Sequence, residues 1–152
     1  MKVTLGRAVL RGQADRIELA PDGAVRILDY KTGSSKPTRA DLPRHAQLGA
    51  YQVAVAEGGF DEVLPSHVDD GERACAGAAL LQLGKASNKG VTLNLQPPLA
   101  EDEDPRWAHT LIEETALGMS RDRFLARPDE QLCGRCPVRR TCPAQPEGAW
   151  LA

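Results

Sequence analysis

The dipeptide Asp22-Gly23 lies between two short apolar runs and constrains the chain more than any other stretch. Asp-Gly supplies the backbone angles that a tight hairpin turn needs. Before it, Ile17 and Leu19 alternate with polar residues, and after it Val25 and Ile27 do the same. Such alternation marks a half-buried strand, so the stretch reads as two antiparallel strands. Each carries an acid away from the turn: Asp15 in Gly12-Gln13-Ala14-Asp15-Arg16-Ile17, and Asp29 in Ile27-Leu28-Asp29-Tyr30-Lys31-Thr32-Gly33. Pairing brings both carboxylates to one end of the sheet. Hard divalent cations prefer oxygen ligands, so two carboxylates there can hold one. Lys31 lies two residues past Asp29 and therefore on the same strand face.

The pattern elsewhere is mixed. Residues 3–11 read as a strand with bends at Gly6 and Gly12. Residues 44–57 turn helical, with Leu48, Tyr51, Gln52 and Val55 at i, i+3, i+4 and i+7. Gly58-Gly59 stops that helix. Residues 60–74 are acidic and without period, as expected of a surface loop. The apolar run 78–83 predicts a buried strand, and the alternating 90–95 its hairpin partner across 85–89. After the Pro97-Pro98 linker, Asp104-Pro105 reads as the N-cap and first residue of a second helix. That helix runs to about Ser120, with Trp107, Leu111, Ile112, Thr115, Ala116 and Met119 expected on one face.

Composition narrows the function classes only modestly. A chain of 152 residues is one domain of ordinary size or a large piece of one. With 41% hydrophobic but only 4% aromatic residues, its core must be aliphatic and alanine-rich. A net charge of −2 neither demands nor excludes a nucleic-acid partner, because placement decides. Arginine makes up 14 of the 19 basic residues, and its guanidinium forks phosphate better than an ammonium. No apolar run approaches the ~20 residues of a membrane helix, and no signal peptide is visible. A soluble, cytoplasmic protein with no membrane partner is the expectation.

Four cysteines are present, three of them in Cys133-Gly-Arg-Cys136-Pro-Val-Arg-Arg-Thr-Cys142-Pro. In a cytosolic chain such a C-x2-C-x5-C cluster points to a metal centre before a disulfide. A closed site needs four ligands, and Cys75 is the other cysteine. Its place between a loop and a buried strand suits a small buried hydrophobe equally well. Arg135, Arg139 and Arg140 around the trio can grip phosphate oxygens, or serve as solvated turn residues.

The motifs Gly12-x-x-Asp15-Arg16-Ile17, Asp29-Tyr30-Lys31-Thr32-Gly33 and Gln47-Leu48-x-x-Tyr51 fall in order on strand, strand and helix. Together they resemble the RecB-type nuclease domain of the PD-(D/E)XK superfamily. The likeness covers residues 6–55 directly. It implies an α/β fold: a restriction-endonuclease-like core over residues 1–126, with a central mixed sheet flanked by helices, and a cysteine-rich tail over 127–152. It implies that Asp15 and Asp29 ligate Mg²⁺ or Mn²⁺, with the Tyr30 backbone carbonyl in the shell. Lys31 would be the catalytic lysine, and Gln47 and Tyr51 would face the site from the helix. Spacing agrees on this last point, since residues four apart share a helix face. Gln47 would bind a phosphate, a base edge or the attacking water, and Tyr51 reads equally well as a core aromatic with a satisfied hydroxyl. His45, at the head of that helix, reads as a surface histidine.

The tail resembles that of the iron–sulfur subset of RecB-like nucleases, found in bacterial helicase–nucleases and Cas4-type proteins. There a similar trio joins an upstream cysteine to hold a [4Fe–4S] cluster. Zinc is the runner-up metal. Family members carry an upstream helix with a further metal ligand, whereas this sequence opens at the first strand, so an N-terminally truncated piece is expected. The activity implied is metal-dependent hydrolysis of DNA phosphodiester bonds, by the C-terminal part of an ATP-dependent helicase–nuclease acting in double-strand-break repair. DNA, as single strand or duplex end, and a helicase domain or subunit would be its partners. The rivals are a catalytically inactive module of the same fold that clamps DNA, and a Cas4-like nuclease. Retention of Asp15, Asp29, Lys31 and Gln47 argues against a decayed site.

Overall fold

The computed structural model describes residues 1–33, 37–64, 74–87, 90–122 and 125–148. The chain divides into two compact units, Met1–Met119 and Ser120–Ala152. In the first unit, β1 (Lys2–Leu5) and β2 (Ala8–Arg11) form an antiparallel two-stranded sheet. The single bent strand expected over 3–11 is therefore a hairpin. Gly6, at φ +54°, makes the reversal, a backbone conformation that costs glycine nothing.

The second sheet has four strands in the order β3 (Arg16–Leu19), β4 (Val25–Lys31), β5 (Cys75–Ser87), β6 (Gly90–Gln96). β3 pairs antiparallel with β4, from Arg16 opposite Leu28 to Leu19 opposite Val25. The reversal falls at Asp22-Gly23 as expected, but as a turn over Ala20–Gly23 closed by Gly23 N–H on the Ala20 carbonyl at 2.9 Å, with a positive φ at the glycine alone. Ala20 N–H bonds the Ala24 carbonyl at 2.9 Å, the Asp22 carboxylate accepts from Ala24 N–H at 3.1 Å, and Gly23 sits at φ +85°. β4 then runs parallel to β5, and β6 returns antiparallel, so the sheet is mixed.

α1 (Ala46–Ala56) packs on one face of this sheet. Val25, Ile27, Ala78 and Leu80 from the strands meet Leu48, Tyr51 and Val55 from the helix in a continuous core. α2 (Trp107–Met119) lies against α1 through Trp107 and Ala108, with Ile112 and Ala116 half-buried. Leu111, Thr115 and Met119 are exposed, so the buried stripe is narrower than the expected face. Phe60 and Leu64, read as surface loop, are buried in the core, and the remainder of that loop, 65–73, lies outside the described residues.

The helix pair has no room to spare. A β-carbon on Gly49 would stand 2.5 Å from the Trp107 ring. Gly49→Val is therefore expected to destabilise the fold by about 1–3 kcal/mol through overpacking, read as a lower urea midpoint at unchanged slope.

Three glutamines are buried with the apolar core: Gln52, Gln82 and Gln96. Gln52 Nε2 donates to Gln96 Oε1 at 2.9 Å and to the Pro97 carbonyl at 3.0 Å. Its Oε1 accepts from Leu99 N–H at 2.9 Å. Gln96 in turn donates to the carbonyls of Leu42 (3.0 Å) and His45 (3.2 Å), holding the start of α1. Among the described residues no helix is long and apolar enough to cross a membrane.

In the second unit, α3 (Glu130–Cys133) is capped by Asp129, whose carboxylate accepts from Leu132 N–H at 2.7 Å. A 3-10 turn follows at Arg139–Thr141.

Candidate active site

β4 carries Asp29 and Lys31 on the face that α1 covers, and α1 carries Gln47 and Tyr51 on the side facing back. The four side chains form one connected cluster. Asp29 is only 6% exposed. Its Oδ1 accepts from Gln47 Nε2 at 2.8 Å and from the Tyr51 hydroxyl at 2.9 Å. The Lys31 ammonium stands 2.7 Å from Asp29 Oδ2 and donates to Gln47 Oε1 at 2.8 Å. Those partners determine the orientation of the Gln47 amide: its oxygen faces a cation, which only donates, and its nitrogen faces a carboxylate, which only accepts.

The Tyr51 hydroxyl also lies 2.9 Å from the Gln13 carbonyl. A hydroxyl has one proton, so it serves Gln13 or Asp29 at any moment. Burial, and then the bond to Asp29, push this phenol up to about 12. An unfolded chain ionises tyrosine near ~10. The stability that this group contributes is therefore complete below the unfolded value and lost as pH rises toward the folded one. Urea denaturation at about pH 9 and about pH 11 is expected to show an alkaline loss in the wild type that is smaller in Tyr51→Phe.

Asp15 is exposed in the segment just before β3, and its Oδ2 accepts from the Tyr30 backbone N–H at 2.6 Å. That bond ties the acid to β4 one residue past Asp29. Its charge also reaches Tyr51, adding to the upward shift of the phenol. His45 heads α1, and burial followed by the Lys31 charge lowers its imidazole pKa. Its Nδ1 is buried without a hydrogen-bond partner.

Whether this cluster suits a divalent cation turns on Asp29 Oδ2. This oxygen is buried and has no hydrogen-bond partner, and the Lys31 ammonium approaches it at ion-pair distance without a well-directed bond. Among the described residues no group of three or more His, Cys, Asp or Glu side chains is assembled to hold a metal. Mg²⁺ and Mn²⁺ take one or two carboxylates and fill their remaining positions with water and phosphate oxygens, a donor requirement that Asp15 and Asp29 can meet.

Residues 1–143 match the PD-(D/E)XK nuclease superfamily. The chain belongs to that superfamily. No individual curated protein matches it significantly. Superfamily members are usually nucleases that use Mg²⁺ or Mn²⁺, in keeping with the donor set at Asp15 and Asp29, and their substrate is DNA. The mixed sheet flanked by helices accords with the superfamily fold.

The cysteines of this PD-(D/E)XK chain are all free thiols. Cys133 accepts from Asp129 N–H at 3.3 Å, and its carbonyl accepts from Cys136 N–H at 3.3 Å. Cys142 N–H bonds the Arg139 carbonyl at 3.2 Å. Arg139 pairs loosely with Glu147 at 3.7 Å, and Arg135 and Arg140 are exposed. Cys75, in the first unit, is half-buried, and its one S–H proton is within reach of Gln52 Oε1 (3.6 Å) or the Gly77 carbonyl (3.7 Å). Burial pushes its thiol pKa up, which disfavours the thiolate that a metal needs.

Two contributors escaped the sequence. The Gln13 carbonyl is a backbone group, and no residue type announces it. Gln82 stands opposite Lys31 in the β4–β5 register and is 1% exposed. The signal for it was a lone polar residue inside the apolar run 78–83.

Proposed function

We propose that this chain is the nuclease module of an ATP-dependent helicase–nuclease of the RecB type, hydrolysing DNA phosphodiester bonds during double-strand-break repair. The observation that carries the reading is the clamp on Asp29: a buried carboxylate whose Oδ1 is held by Gln47 and Tyr51 and whose Oδ2 faces the Lys31 ammonium at 2.7 Å. Asp15, Asp29 and the Tyr30 carbonyl would hold Mg²⁺ or Mn²⁺. A divalent cation bound there neutralises phosphate charge and makes water more acidic. Lys31 places its ammonium where negative charge grows on the phosphate, stabilising it. Gln47 holds that ammonium in place through its Oε1, and Tyr51 keeps Asp29 in one rotamer.

In the tail, Cys133, Cys136 and Cys142 would hold a [4Fe–4S] cluster as three of its four ligands, zinc being the alternative. Arg135, Arg139 and Arg140 would grip backbone phosphates, and a helicase domain would feed the strand.

Labelled linear DNA, single-stranded and duplex, incubated with Mg²⁺ or Mn²⁺ tests the reading. Cleavage that chelation stops, and that Lys31→Ala slows by about 10²-fold or more, supports it. Undiminished cleavage by that variant removes Lys31 from the site, and a cleavage-free parent protein favours a DNA clamp. Iron and sulfide analysis after anaerobic purification tests the tail, and one zinc per chain without sulfide would replace the cluster.

A further inference from the structure

We propose that Gln82 is a positioning residue for Lys31: it supplies the acceptor that takes the lysine ammonium when a divalent cation occupies Asp29. The inference rests on the reading of Asp15 and Asp29 as a cation site. Lys31 Nζ sits 2.7 Å from Asp29 Oδ2, an oxygen that a cation held by Asp29 would share. Two cations cannot share one carboxylate oxygen at contact distance without strong repulsion, so the lysine must withdraw. Of its three N–H donors, the one bonded to Gln47 Oε1 can stay as a pivot, and the ammonium turned away from Asp29 gains from an acceptor on its buried side.

Gln82 is placed to provide it. Lys31 and Gln82 are register partners in the parallel β4–β5 pair, so their side chains leave the same face on strands about 4.8 Å apart. The preceding partners on that face, Asp29 opposite Leu80, put an apolar wall beside the carboxylate and the first polar neighbour beside the lysine. Gln82 is 1% exposed, and its Oε1 is a buried acceptor with no hydrogen-bond partner. A neutral acceptor left unpaired in a protein interior costs stability, and groups of this kind are concentrated where function requires them. The amide orientation is not arbitrary. Nε2 donates to the Gly33 carbonyl, which only accepts, so Oε1 must point the other way. One side chain thus anchors the chain just beyond Lys31 and carries an unpaired buried oxygen at the strand position opposite the lysine.

The two halves of the Gln82 amide are separable. Gln82→Met removes both, whereas Gln82→Glu keeps an acceptor oxygen and loses the bond to Gly33. Binding of Mn²⁺ alone, followed by electron paramagnetic resonance on the whole chain, reads the site without catalysis. The expected result is about tenfold weaker Mn²⁺ binding in Gln82→Met, the factor one hydrogen bond to a charged group is worth, with affinity retained in Gln82→Glu. Equal loss in both variants would reduce Gln82 to a tether of Gly33, and no loss in Gln82→Met would also overturn the proposal.

A second measurement needs no variant. Addition of diamagnetic Mg²⁺ to isotope-labelled wild-type protein is expected to shift the side-chain NMR signals of Lys31 and Gln82 together, at the same Mg²⁺ concentration. A shift at Asp29 and Lys31 with none at Gln82 would sink the inference and leave the cation site standing. Absence of Mn²⁺ binding by the wild type would sink both.

Discussion

Asp29→Asn is expected to lower phosphodiester cleavage by about 10³-fold or more while leaving the fold in place. The substitution preserves shape and removes charge. An asparagine oxygen in the Oδ1 position still accepts from Gln47 and Tyr51, so the clamp closes as before. Its amide nitrogen then takes the position of Oδ2, facing the Lys31 ammonium across 2.7 Å, donor against donor. A cation held by Asp15 and Asp29, as proposed, would lose one of those anionic ligands, and the loss of several kcal/mol of charge stabilisation corresponds to that factor. Single-turnover cleavage of end-labelled linear DNA at saturating Mg²⁺ measures it, with a thermal melt as the control for folding. A rate within tenfold of wild type would exclude Asp29 from the chemistry.

The second large effect falls on stability. Gln52→Leu is expected to cost about 3–5 kcal/mol, among the largest penalties of a single substitution. Leucine matches the buried volume and the helix propensity, so packing is not the cause. The loss leaves Leu99 N–H, the Pro97 carbonyl and Gln96 Oε1 without their bonds of 2.9, 3.0 and 2.9 Å. Each buried polar group stripped of its partner costs about 1–3 kcal/mol. For a chain of this size, the sum corresponds to a fall in Tm of roughly 10 °C. A change below 1 kcal/mol in urea denaturation would mean that water reaches the network. Gln96 also holds the Leu42 and His45 carbonyls, so the same damage loosens the start of the helix that presents Gln47.

Much of this was legible before any coordinates. The β3–β4 hairpin, α1 and its glycine stop, and the β5–β6 pair each announce themselves within a dozen residues, because alternation and the 3.6-residue period are local properties. The candidate cluster was legible for a different reason: an Asp, Asp-x-Lys pattern is weak alone, and it was the three motifs in order, resembling those of RecB-type nucleases, that singled out Asp29, Lys31, Gln47 and Tyr51, which the fold brings into contact. The errors came where context decides. The stretch 3–11 alternates like one strand but folds back at Gly6, because a positive φ is available to glycine at no cost. Leu111 and Met119 look core-facing by period, yet the contact of α2 with α1 is centred on its first turn, at Trp107 and Ala108. Gln52 looked like part of an apolar stripe, and only the surrounding carbonyls show why an amide belongs there.

Residue order by itself thus determined the β3–β4 and β5–β6 pairs and the helices α1 and α2, placed Asp15 and Asp29 beside and on the first of those pairs, and put Gln47 and Tyr51 on one face. Tertiary structure alone decided that Asp29 is clamped by α1 with one oxygen left over, and that Gln82 stands beside Lys31 from 51 positions away. The reason lies in the period of a strand. Sliding β5 by two residues against β4 leaves every side chain on its own face, so alternation is blind to register. Only the packing of Ile27, Leu80 and α1 in one core picks the register that sets the glutamine next to the lysine.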